Sequence, residues 1–117
     1  MTERIAVVDF DGTIAEFSYP NIGKPKPGVK ESLQKLKDIG FEIHILSCRT
    51  SIDVKKYPID RQEQVRKMEQ YLDEHEIPYD KVLNKDKPLA LWYIDDRAIE
   101  FRDNWDDVVR KITEHEE

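Results

Sequence analysis

The stretch Ile5-Ala6-Val7-Val8-Asp9-Phe10-Asp11-Gly12-Thr13 decides the reading of this chain. Its first four residues are apolar and rich in β-branching, with no polar alternation, which predicts a strand covered on both faces. Asp9 and Asp11 follow two apart at the end of that segment, so an extended backbone turns both carboxyl groups to the same side. Gly12 and Thr13 then lead the chain into a turn-rich stretch to Gly28, punctuated by Pro20, Gly23, Pro25 and Pro27.

Beyond this stretch the pattern alternates between helical and extended periods. Val29, Leu33, Leu36 and Ile39 recur at helical spacing, and Gly40 is placed to end that helix. Phe41 to Leu46 reads as a second strand, followed by a polar, irregular stretch from Thr50 to Pro58. Asp60 with Glu63 makes a capping box for a second helix whose buried stripe is Val65, Met68, Tyr71 and Leu72. That helix should stop before Pro78. Tyr79–Leu83 reads as a third strand, Leu91–Ile94 as a fourth and Ala98–Phe101 as a brief fifth. A last helix follows Asn104, with Trp105, Val108, Val109 and Ile112 on one face. Strands alternating with helices predict an α/β fold with a parallel sheet and helices on both faces.

The bulk properties narrow the function classes. At 117 residues the chain is expected to be a single domain, residues 1–117, with a modest core. The formal net charge of −6 argues against broad attraction to a phosphate backbone, since nucleic-acid binders present a basic face. The longest apolar run, Leu89 to Ile94, is too short to span a bilayer, so no membrane partner is expected. The first ten residues carry charge where a secretion signal needs an apolar stretch. One cysteine cannot form an internal disulfide. These features predict a cytoplasmic protein.

In open parallel sheets the ligand lies beyond the carboxyl ends of the strands. The residues just past each expected strand are Asp9, Phe10 and Asp11, then Ser47, then Asn84 to Lys87, then Asp95 and Asp96. If the fourth strand lies beside the first, four carboxyl groups converge. One pair of like charges at ~4 Å costs about 4 kcal/mol at an effective dielectric of roughly 20. A divalent cation relieves that repulsion, and hard oxygen ligands suit Mg²⁺. A single Asp pair would be read as capping or turn formation; two pairs ending two strands favour a metal site.

On these residues the sequence resembles the haloacid dehalogenase superfamily. Val7-Val8-Asp9-Phe10-Asp11-Gly12-Thr13 is similar to its first motif and is highly specific. Ile45-Leu46-Ser47 is similar to the second, and Lys87 or Lys85 to the third, each weak alone. Trp92-Tyr93-Ile94-Asp95-Asp96 is similar to the fourth. The resemblance covers nearly the whole chain. It implies a three-layer Rossmann-like parallel sheet of about five strands, in the order 3-2-1-4-5. It further implies an Mg²⁺-dependent phosphatase, a phosphoric monoester hydrolase working through an aspartyl-phosphate. Asp9 would be the nucleophile and Asp11 the acid and base. Ser47 and the lysine would bind the phosphoryl group, while Thr13 fixes the loop after the nucleophile. Asp9, the Asp11 carbonyl and Asp95 would hold the metal, with Asp96 on a metal-bound water or sharing the ligation. Lys87 is preferred to Lys85 because it precedes Pro88. An aspartate at position 11 favours phosphate esters over carbon–halogen or phosphonate bonds.

Competing readings are weaker. A receiver domain of two-component signalling has its acidic pair on the first strand and its phosphorylated aspartate after the third, an order this chain lacks. An EF-hand loop needs further oxygen ligands where Ile14 and Ala15 stand. Cys48 lacks a neighbouring histidine and a phosphate-cradling loop, and reads as a buried small residue. The remaining alternative is a non-catalytic metal- or phosphate-binding interaction module of the same fold.

The two places where such proteins carry a cap, Ile14–Pro27 and Leu72–Lys85, are short, so no cap domain is expected. Phe17, Tyr19 and Lys24 are candidates for one wall of an open site. Arg49, Lys55 and Lys56 are candidates for positive charge facing the leaving group. Nucleotides, sugar phosphates and phosphorylated nucleic-acid ends all stay open as substrates, the acidic net charge disfavouring the last.

Overall fold

The computed structural model describes residues 4–51, 60–87 and 90–116. Three strands form a parallel sheet in the order β1-β2-β3: β1 Ile5–Val8, β2 Glu42–Ile45 and β3 Lys81–Val82. Helix α1 (Val29–Asp38) connects the first pair of strands. A short 3₁₀ turn at Cys48–Thr50 and helix α2 (Arg61–Glu74) connect the second, and α3 (Trp105–Glu116) ends the chain. The register sets Ile5 against Glu42, Val8 against Ile45, and Ile45 against Val82.

Each helix forms where apolar spacing and end signals agree. On α1, Val29, Leu33 and Leu36 are buried at helical intervals. Gly40 ends it with φ near 101°, its N–H donating to the Lys37 carbonyl while Phe41 N–H donates to Leu36. A side chain at that φ would be strained, which is why glycine stands there. Asp60 caps α2 by accepting from the Glu63 N–H, and Val65, Met68, Tyr71 and Leu72 form the buried stripe. Trp105, Val108 and Val109 are the buried residues of α3, which packs on α1.

β3 is short, and Asp80 just before it completes the ladder in an unusual way. Its backbone N–H donates to the Ile43 carbonyl, while its carboxylate accepts from the Ile43 N–H at 2.7 Å and from Lys37 at 2.7 and 2.8 Å. Those donors hold the Asp80 carboxyl below the usual carboxylate range, the Lys37 hydrogen bond contributing most.

The sheet differs from the sequence expectation in two linked ways. Leu91–Ile94 and Ala98–Phe101, expected as fourth and fifth strands, are irregular, so three strands stand among the described residues and β1 is an edge. The face carrying Val8, Ile43 and Ile45 is buried, but Val7 on the opposite face is 58% exposed. Helical cover on both faces of β1 is therefore not what the described residues form. The apolar run at 91–94 is itself in solvent, with Leu91, Trp92, Tyr93 and Ile94 all exposed. The third strand (79–83) and second strand (41–46) of the sequence reading are present but shorter. No helix among the described residues is long and apolar enough to cross a membrane.

Candidate functional site

The site grows from the carboxyl end of β1. Between the two aspartates, Phe10 is fully buried and meets Tyr71 of α2 edge-on, ring centroids 5.5 Å apart. Burying Phe10 turns Asp9 and Asp11 the other way, as alternation requires. The turn that follows is closed by Ile14 and Ala15 N–H groups on the Phe10 carbonyl and by Gly12 N–H on Ala15. Gly12, at φ near 86°, occupies left-handed backbone that a larger residue would strain.

Asp9 is held by both oxygens. Thr13 Oγ1 donates to Oδ2 at 3.3 Å, and Lys87 Nζ donates to Oδ1 at 2.8 Å across 78 residues of sequence. Lys87 also lies 5.4 Å from the centre of the Tyr93 ring. Lys85 contributes differently: its carbonyl accepts from Thr50 Oγ1 at 2.6 Å, anchoring the 83–87 segment to the turn after β2. The lysine whose ammonium stands at Asp9 is thus Lys87.

Asp11 has a separate partner. Arg49 donates from Nε to Asp11 Oδ2 at 2.6 Å and from Nη2 to Oδ1 at 2.8 Å. Arg49 begins just past Ser47, which is buried and whose Oγ accepts from the Arg49 backbone N–H at 3.1 Å. Ser47, Asp9 and Asp11 therefore share one edge of the sheet, each just past a strand. Cys48 sits beside them, with burial pushing its thiol up despite the opposing charge of Lys87. Cys48 is only partly buried rather than the buried small residue expected from sequence, and a thiol shifted in this direction is a poor nucleophile.

The acidic pair of the expected fourth motif is elsewhere in character. Asp95 and Asp96 are exposed, and Asp95 accepts from the Arg97 backbone N–H at 2.7 Å in a local turn. Among the described residues no three His, Cys, Asp or Glu side chains are grouped to hold a metal ion. The four-carboxylate cluster expected from sequence is not assembled, because the segment that should deliver Asp95 and Asp96 does not pair with β1. Asp9 and the Asp11 carbonyl are suitable hard donors, but as arranged they do not by themselves make a cation site.

Several contacts were not legible in the sequence. Trp105 of α3 donates from Nε1 to the Thr13 carbonyl at 3.0 Å, pinning the turn after the aspartates from the far end of the chain. Tyr71 donates its hydroxyl to the Gly23 carbonyl at 2.8 Å, and its hydroxyl is pushed up to about 12, mainly by burial. Of the proposed wall residues, Phe17 is exposed, while Tyr19 lies against Arg49, 4.9 Å from guanidinium carbon to ring centre. Lys24 contributes its carbonyl to Glu16 N–H. Arg49 is buried and engaged rather than facing solvent, so it is not a loop cation offered to a leaving group. Lys55 and Lys56 lie outside the described residues. Between the 20–22 segment and α2 runs a cleft of about 330 Å³, bordered by Asn21, Arg49, Lys67 and Gln70.

Comparison with solved structures finds the same fold in proteins of two bacteria. A Vibrio cholerae protein, a structural-genomics target, is 26% identical, with a TM-score of 0.62 over 97% of this chain and 99% of that one. A conserved protein from Bacteroides thetaiotaomicron is 23% identical, with a TM-score of 0.61 over 97% of this chain and 93% of that one. No family model matches the chain, and no curated protein matches it. The likeness covers nearly the whole chain and establishes an α/β fold; neither protein's name states an activity.

Proposed function

We propose that the chain is a phosphohydrolase of the haloacid dehalogenase type that cleaves phosphate monoesters through Asp9. The observation that carries this reading is the Asp9 carboxylate at the end of β1, with the Thr13 hydroxyl on one oxygen and the Lys87 ammonium on the other. A carboxylate held by two donors is oriented for in-line attack, and a cation at that spot offsets its repulsion of a phosphate.

The steps follow from these groups. An Asp9 oxygen attacks phosphorus, the phosphorus–ester oxygen bond breaks, and the departing oxygen takes a proton from Asp11. Water then attacks the aspartyl-phosphate, Asp11 takes its proton, and phosphate leaves with the Asp9 carboxylate restored. Lys87 exchanges Asp9 for a phosphoryl oxygen as charge moves onto the phosphate. The Ser47 hydroxyl, which accepts from Arg49 N–H, keeps its own proton for another phosphoryl oxygen.

The metal belongs to this proposal as a condition rather than a step. Mg²⁺ would supply charge neutralisation at Asp9, the Asp11 carbonyl and Asp95, with Asp96 beside it. For that, residues 91–94 would pair with the open edge of β1 as a fourth strand, extending the sheet toward the order 3-2-1-4-5. The exposure of Val7 and of Leu91, Trp92 and Ile94 supports this, because docking would cover apolar surface on both sides. Short insertions at 14–27 and 72–85 support an uncapped site open to a nucleotide, a sugar phosphate or a nucleic-acid end in a reducing, cytoplasmic setting.

The test is phosphate release from a panel of phosphate esters, with and without Mg²⁺, by the wild type and Asp9→Asn. Metal-dependent release lost in the variant is expected. One observation bears on a second reading, a non-catalytic phosphate-binding module of the same fold: among the described residues Asp95 and Asp96 are not grouped with Asp9 and Asp11. Binding of a phosphate analogue with no release from any ester would favour that module.

A further inference from the structure

We propose that Arg49 is a positioning residue for Asp11, tying the acid–base group to the loop at Tyr19–Asn21, and that it does not bind substrate. The inference rests on the hydrolase reading above. Arg49 is only 3% exposed. Its guanidinium donates to both oxygens of Asp11, at 2.6 and 2.8 Å, to the Asn21 carbonyl at 2.8 Å and to the Pro20 carbonyl at 3.1 Å. The Tyr19 ring covers one side at 4.9 Å. A charge committed to four acceptors and shielded by a ring is not presented to a leaving group.

Only a planar, forked cation can bridge a carboxylate and two carbonyls at once; an ammonium on a flexible stem cannot hold all four acceptors. The pairing does not disable Asp11. Each carboxylate oxygen has a second lone pair beyond the one Arg49 uses, so a proton can still be carried on the side facing the ester. What Arg49 sets is direction. Its backbone is fixed in turn by Ser47 Oγ, so the phosphate-binding hydroxyl and the acid–base carboxyl are placed by adjacent residues of one turn.

The test compares wild type with Arg49→Gln on two substrates, an alkyl phosphate and p-nitrophenyl phosphate. The alkoxide needs a proton as it departs; the nitrophenolate does not. The value of kcat/KM reports only steps up to departure of the leaving group. A misdirected acid should lower it on the alkyl ester by about 100-fold and on the nitrophenyl ester far less. Equal losses on both, the signature of general damage or of a lost substrate contact, would overturn the proposal, as would no loss on either. A second arm needs no turnover. Amide hydrogen exchange at Glu16 and Lys26, whose N–H groups bracket the loop by donating to the Lys24 and Ile14 carbonyls, should quicken in Arg49→Gln while α1 is unchanged, and unaltered exchange there would also overturn it. Absence of wild-type turnover on both esters would instead contradict the hydrolase reading and leave the exchange arm to decide on Arg49.

Discussion

Thr13 and Lys87 each hold one oxygen of Asp9, while Arg49 holds both oxygens of Asp11, so the two aspartates have different neighbours. On the proposed mechanism, replacing Lys87 with alanine would remove the cation that offsets phosphate charge; kcat/KM is expected to fall about 10²–10³-fold, as for loss of one electrostatic donor. Lys85→Ala should change it little, because Lys85 contributes a backbone carbonyl that alanine retains. Equal losses in the two variants would refute that distinction. At Cys48, a thiol raised by burial is expected to react with iodoacetamide more slowly at pH 8 than a free cysteine, and to speed up only at higher pH. That Asp9, Asp11, Thr13 and Ser47 stand just past a strand or within the turn after one was legible in the sequence, whereas Lys87 was preferred to Lys85 only on the resemblance. Arg49 was not. Its place after Ser47 showed in the sequence, but the loop carbonyls and Asp11 that engage it meet only through the fold.

The helices were legible and the sheet only in part, for a physical reason. A helix declares itself through local spacing and end residues, such as Leu33 and Leu36 before Gly40, or Asp60 before Glu63. A strand depends on a partner strand, and the apolar run at 91–94 joins no strand ladder among the described residues. Asp80 is the element-scale device that sequence could not reveal, since its carboxylate takes the place of a ladder acceptor beside β2. Asp80→Ala leaves the Ile43 N–H without that charged acceptor and is expected to destabilise the fold by about 1–3 kcal/mol in urea unfolding. Its folded-state pKa is depressed, so its contribution is present above the ordinary carboxylate range and fades as pH falls through the folded value. The gap between wild type and Asp80→Ala should therefore narrow in acid; a gap that widens would contradict this role. Removing the cap with Asp60→Ala should cost about 1 kcal/mol by the same measurement.

At the scale of the molecule, the edge of β1 that no described strand covers and the exposed run at 91–94 connect the fold to the proposed activity. Trp92 is 76% exposed and Trp105 only 4%, so acrylamide should quench mainly Trp92, and Trp92→Phe should abolish most of the effect. If residues 91–94 dock as a strand when the site fills, Mg²⁺ with beryllofluoride should shield Trp92. Binding that leaves Trp92 fully quenchable would contradict the docking. Two bacterial proteins share the α/β fold over 97% of this chain, and the Trp105 bond to the Thr13 carbonyl ties α3 to the turn after the aspartates. The central claim, a phosphoryl group carried by Asp9, is met most directly by acid-quenching the protein during turnover of a labelled phosphate ester and mapping the label by peptide mass analysis. Label on the peptide containing Asp9, absent in Asp9→Asn, is the expected result. Sustained phosphate release with no label on that peptide, and with Asp9→Asn still active, would contradict it.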